Sequence, residues 1–167
     1  MLIALMGLAI AWDSWNKATL RDKIYNFPET GYISQDPYVD VSGTVTVLTD
    51  DSGKPTTIQI TIKIDHRNEA ETLRNVIVSA KVSDSLTGIL FTRDPYVVTG
   101  SNVRMTLGSG GYPGLTFGAT TPIDPDSASL STQQVTQLCD APILVKLSHA
   151  DGIELIEIRP IVSVQKR

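Results

Sequence analysis

The side chains of this chain that are able to do covalent or acid–base chemistry are few and scattered. Cys139 is the single cysteine, so no intrachain disulfide forms, and His66 and His149 are the only histidines. A Cys–His nucleophile needs contact between the two groups and a third group to orient the base, and nothing around Cys139 and His149 supplies one. The three together are too few for a His/Cys zinc centre, which takes four ligands. Glu154 and Glu157 lie three apart in an alternating stretch, so they point to opposite faces and cannot act as a general acid/base pair. No serine sits in a Gly-x-Ser-x-Gly elbow. Asp50 and Asp51 in "TDDSG", and Asp124 and Asp126 in "IDPDSAS", offer oxygens to a hard cation. Such an ion wants six to eight of them, and aspartate at these places serves turns and caps. "LGSGGYPG" (107–114) has the glycine content of a phosphate-binding loop. It lacks a Lys-Ser/Thr pair, and Leu115-Thr116-Phe117 after it reads as a strand where such a loop needs a helix. No catalytic residue, cofactor-binding residue or metal ligand is assigned.

The elements that would position side chains are mostly strands. From Tyr38 onward the apolar period is two. Val39, Val41, Val45 and Val47 alternate with polar residues, the turn "TDDSGKP" follows, and Ile58, Ile60, Ile62 and Ile64 alternate again. This pair predicts a β-hairpin with one buried face per strand. Val76, Val78, Ala80 and Val82 predict a third strand of the same kind. Leu86–Thr92, Tyr96–Leu107, Tyr112–Phe117, Ile143–Leu147 and Ile153–Val164 are further strand candidates. "DPDSASLSTQQVTQL" reads as a short helix or an irregular loop. The tetrapeptide Asp-Pro-Tyr-Val occurs twice, at 36–39 and 94–97. Proline belongs at a strand's first position, so each copy reads as a strand entry and not as a duplicated site. The expected fold class is mainly β: an antiparallel immunoglobulin-like sandwich of about seven to eight strands, preceded by one N-terminal α-helix.

That helix is the strongest feature of the chain. Residues 1–12, MLIALMGLAIAW, carry no charge, and a mixed polar segment then runs to Phe27 before Pro28 stops the helix. Leu20, Ile24 and Phe27 fall on one stripe. The expected organisation is an apolar-then-amphipathic helix over 1–27, a linker over 28–37 and the sandwich over 38–167. The apolar run is shorter than the roughly 20 residues of a full membrane span. With no basic start, it does not read as a cleaved leader. An anchor or assembly helix fits better than a helix packed on its own domain, because a fully apolar circumference exceeds what one buried face needs. Leu2, Ile3, Leu5, Met6, Leu8, Ile10, Trp12 and Trp15 are the anchor residues, with the two tryptophans placed where amphipathic rings favour a boundary.

Composition narrows the partners. The chain has 167 residues, 41% hydrophobic and 19% charged, enough for one ordinary domain with a real core. A net charge of −4 with scattered basic residues argues against nucleic acid. The expected partners are a membrane or sister subunits through the helix, and other proteins through loops or an edge strand, with a homo-oligomer or larger assembly as the product. The expected location is membrane-associated, extracytoplasmic or at the cell surface.

"IQITIKIDHRNEAETLRNVIVSAKVSD", with Leu73-Arg74-Asn75-Val76-Ile77-Val78 at its centre, resembles the two-strand core of extracytoplasmic immunoglobulin-like modules. Together with the apolar helix, the architecture is similar to pilin-like and filament-accessory proteins of the archaellum or type IV pilus kind. Bacterial pilins carry Glu at residue 5, where this chain has Leu5. The resemblance implies a structural, non-enzymatic assembly role. A viral or phage structural component and a ligand- or carbohydrate-binding module are the alternatives. The second is disfavoured by an aromatic content of only 6%.

Overall fold

A computed structural model describes residues 20–33, 35–67, 71–98 and 105–167. Helical residues 20–25 form α1, and the rest of the expected helix, residues 1–19, lies outside the described residues. There follow β1 (Val39–Thr49), β2 (Pro55–His66), β3 (Leu73–Lys81), α2 (Asp84–Thr87), β4 (Tyr96–Val98), β5 (Met105–Leu107), β6 (Gly114–Pro122), α3 (Thr132–Cys139), β7 (Ile143–Ser148), β8 (Ile153–Ile158) and β9 (Ile161–Lys166). The chain is mainly β, with two sheets in the orders β6-β2-β1-β9 and β4-β3-β7-β8, and β5 also pairs with β3.

The valine and isoleucine alternation builds the first sheet as expected. Val45 sits opposite Ile60 and Val47 opposite Ile58 in an antiparallel register, and all four are at most 4% exposed. The turn between them closes on Asp50, whose Oδ1 accepts the Ser52 and Lys54 amides at 2.9 and 3.0 Å. Val76, Val78, Ala80, Val145 and Leu147 face this layer from the second sheet, and residues of both sheets form one hydrophobic cluster with Leu86, Val135 and Cys139. Each such aliphatic side chain contributes about 1.5–3 kcal/mol on burial. The two layers come close at Gly43, where a Cβ would stand 2.9 Å from Ile158 Cδ1.

Both Asp-Pro-Tyr-Val copies are strand entries. Asp36 Oδ1 accepts the Tyr38 and Val39 amides at 2.7 and 3.0 Å where β1 begins. Asp94 Oδ1 accepts the Tyr96 amide at 2.9 Å where β4 begins. Asn75 has φ +55°, a left-handed conformation that asparagine tolerates. The β3–β5 register slips at this point, between Leu73 and Val76.

Several expectations are corrected. The described residues hold nine strands, because two predicted strands are each two. Tyr96–Leu107 contains β4 and β5. Ile153–Val164 breaks at Arg159-Pro160, where the chain crosses from the second sheet to the first. The pairing is not antiparallel throughout: β9 runs parallel to β1, and Ile33 makes a parallel bridge to Ile156 at the β8 edge. Leu86–Thr92 is not a strand. Ser83 caps α2 by accepting the Leu86 amide at 3.2 Å, and Leu86 is buried from this helical turn, Ile89 and Leu90 from the turn that follows it, with Leu90 bridging Ile123. Of the two readings of "DPDSASLSTQQVTQL", the short helix is found: "TQQVTQLC" is α3, opened by a reciprocal capping box between Ser131 and Gln134.

The expectation of one buried face fails for the third strand, β3, and β7 is likewise buried on both faces. Ile77 and Ser79 are buried beside Val76, Val78 and Ala80, and Lys146 and Ser148 beside Val145 and Leu147. The second face is covered because α1 lies on it.

Candidate assembly site at the helix dock

The sequence of β3 and β7 sets the outer face of the second sheet. Ser79 is the cross-strand partner of Lys146, and Ile77 of Ser148. Residues i and i+2 of a strand share a face, so Lys146 and Ser148 project beside Ser79 while Val145 and Leu147 enter the core. Three hydrogen-bond donors thus stand together on this face of the sheet.

They meet the end of α1. A helix leaves its last carbonyls without intrahelical partners, and here those of residues 23–26 each accept a bond from the body, while that of Asp22 takes the Asn26 amide at 3.0 Å as well as Lys146. Ser79 Oγ donates to the Ile24 carbonyl at 2.8 Å, and Ser148 Oγ to that of Lys23 at 3.4 Å. The Tyr96 hydroxyl donates to the Tyr25 carbonyl at 3.3 Å. Lys146 Nζ donates to Asn26 at 2.6 Å and to Asp22 at 3.3 Å. Ile24 enters the surface and is 4% exposed. Around it the Tyr25 and Tyr96 rings meet edge-on at 4.9 Å, and Phe27 lies 5.9 Å from Tyr96.

Lys146 is only 1% exposed, a costly place for a charge. Desolvation lowers its pKa, and the Asp22 carboxylate works against that shift. Three further features offset the burial: the carbonyl bonds, the negative end of the helix dipole, and the Phe27 ring, whose centroid is 5.0 Å from Nζ. The arrangement fixes the exit of a helix on two adjacent strands of a sheet.

The sequence reading missed this dock. The one signal in the sequence is Lys146 within the apolar run "ILVKLS", and its meaning depends on a cross-strand register that periodicity does not supply. The anchor residues Leu2, Ile3, Leu5, Met6, Leu8, Ile10, Trp12 and Trp15 all lie outside the described residues. Among the described residues no helix is long and apolar enough to cross a membrane. Residues 28–37, read as a linker, are exposed from Pro28 to Gly31. They then tie to β8, where the Ile33 amide donates to Leu155 at 2.8 Å and its carbonyl accepts from Glu157 at 2.9 Å.

The groups with chemical potential do not converge. Cys139 is buried in α3, and burial pushes its thiol up to about 12. His149 Nε2 lies 3.6 Å from Glu154 Oε1 and makes no bond to Cys139. His66 Nε2 pairs with the Glu71 carbonyl at 2.9 Å. Glu157 faces elsewhere, lining an open cavity of about 290 Å³ with Lys81, Asp84 and Leu144.

Asp50 and Asp124 are held below the usual carboxylate range, chiefly by the Ser52 hydroxyl and by the Asp126 amide respectively. Among the described residues no group of three or more His, Cys, Asp or Glu is placed to hold a metal. In the glycine-rich loop the Gly108, Gly111 and Tyr112 amides donate to Tyr112, Gly108 and Thr106 carbonyls, so they are not free to converge on a phosphate.

No protein family matches this chain, and no characterised protein or solved structure matches it either.

Proposed function

We propose that this chain is a structural, interaction protein: an immunoglobulin-like β-sandwich displayed outside the cytoplasm and held at a membrane or in a filament by its N-terminal helix. The supporting observation is the dock. The helix that follows the uncharged run 1–12 ends on β3 and β7 through carbonyl bonds to Ser79, Ser148 and Lys146, so tension on the helix passes directly into a sheet. A helix serving only as a cover for the body would need one apolar stripe. Leu2, Ile3, Leu5, Met6, Leu8, Ile10 and Trp12 leave no polar face over residues 1–12. At about 1.5–3 kcal/mol for each large side chain, their burial in lipid or among sister helices is a strong drive to assembly. The reading assigns no catalytic residue.

The test is flotation of the full-length protein with carbonate-washed membranes, run beside material sheared from cells. Flotation with lipid or recovery in sheared high-mass material is the expected result, and the two separate the membrane from the filament form. A chain found only as a soluble monomer in both would overturn the proposal.

A further inference from the structure

The dock is built so that the helix it holds need not come from the same chain. Every described contact of the helix end with the body runs from residues 22–27 to Ser79 on β3, Tyr96 on β4, and Lys146 and Ser148 on β7. The hinge behind it is loosely held: Pro28, Glu29, Thr30 and Gly31 are exposed and make no hydrogen bond or ion pair to any described residue, and only Gly31 comes near the body, beside Leu155. Pro28 disfavours helical backbone at Phe27, so the hinge leaves the helix extended. Four extended residues reach about 14 Å. Beyond them the chain is fixed again, by the Ile33 bridge to Ile156. Re-aiming the hinge would move the helix from its own dock to a neighbour's without losing one of these contacts, which is the condition for exchange of an identical element between protomers.

We propose that the dock on β3, β4 and β7 is an interchain site, and that the partner it fits is the helix end of a second copy of this chain, residues 22–27. The inference rests on the assembly reading. Once residues 1–12 of several copies associate, each helix end is surrounded by docks at high effective concentration, and exchange links the bodies as well as the helices. The recognition chemistry is that of a helix C-terminus: carbonyl oxygens without partners and a negative dipole end, met by an ammonium, two hydroxyls and a phenol.

The experiment is cross-linking of full-length chain carrying Tyr25→Cys and Tyr96→Cys, whose native rings lie 4.9 Å apart, with a short bis-maleimide applied to assembled material. Native Cys139, 1% exposed, stays out of reach of the reagent. Exchange gives covalent dimers and longer ladders on a denaturing gel, absent when either cysteine is left out. Assembled material in which the pair joins only within single chains overturns the exchange and leaves the assembly reading intact. Failure of the unmodified chain to assemble at all overturns both. Should the double variant not fold, an assembly of unmodified chain mixed from two isotope-labelled pools carries the same decision. Phe27–Tyr96 ring contacts between differently labelled copies are expected, and their absence in formed assemblies sinks the proposal.

Discussion

Lys146 Nζ stands 2.6 Å from the Asn26 carbonyl oxygen and 5.0 Å from the centre of the Phe27 ring. One side chain on β7 therefore closes the end of α1 and holds the first aromatic residue after it. A buried cation is tolerated here because what covers it is a helix terminus, whose carbonyls would otherwise lack partners. Each of the two features is a liability without the other.

Replacing Lys146 by Met keeps most of the stem and removes the donors. The Asn26 carbonyl then loses a charge-assisted bond of about 1.5–3 kcal/mol, partly returned by the desolvation that the ammonium no longer suffers. The expected outcome is a local change: amide exchange over residues 20–27 speeds up, while the β1–β2 ladder keeps its protection. Equal acceleration in both regions would show that α1 is not a separately held element.

The pH dependence of Lys146 has a definite sign. Its folded pKa is lowered from 10.5, with desolvation as the first cause, so in the window between the folded and unfolded values the unfolded chain binds more protons. Stability must then rise with pH through that window, just below 10.5, and lose this contribution as pH falls beneath the folded value. The measurement is the difference in melting temperature between wild type and Lys146→Met, which removes what the two share. That difference is expected to move in favour of wild type as the solution becomes alkaline. A constant difference from neutrality to pH 10.5 would contradict it.

The first sheet was readable because the core is written in the period of its strands. Val45, Val47, Ile58 and Ile60 alternate in the sequence and meet across the hairpin. Tyr38 and Tyr96 follow capped prolines in both Asp-Pro-Tyr-Val copies, and each copy opens a strand. What was not readable involves partners distant in sequence. The parallel pairing of Thr44 with Ile161 joins the two ends of the body. Leu86, Ile89 and Leu90 suit a strand as well as a turn of helix until the Ser83 cap decides between them. The dock was hidden for the same reason, since the carbonyls it serves are backbone groups common to every residue type and only the β3–β7 register brings their donors together.

Gly43 tests how tightly the two sheets close. A Cβ at this position would stand 2.9 Å from Ile158 Cδ1 and 3.4 Å from Ile62 Cδ1, both flexible ends of side chains. Alanine should be absorbed by small rotations, while Gly43→Val overfills the layer and is expected to cost about 1–3 kcal/mol. For a domain of this size that corresponds to a fall in melting temperature of about 2–4 °C per kcal/mol. Thermal unfolding of both variants checks it, and a valine variant as stable as wild type would mean that the sheets part easily at β1 and β8.

Removing residues 1–11 separates assembly from folding. The cluster that holds the body together draws on Val45, Ile62, Val78, Val145 and Leu147, and the dock uses residues 22–27, so neither needs the apolar run. The shortened chain is expected to be soluble, monomeric and rich in β-structure by circular dichroism, with residues 20–27 still protected from amide exchange. Full-length chain under the same conditions is expected in lipid or in high-mass material. Two results carry different meanings. An unfolded shortened chain would place the apolar run in the fold itself, and the anchor reading would go. A folded shortened chain that still associates would move the assembly surface off the apolar run and onto the body.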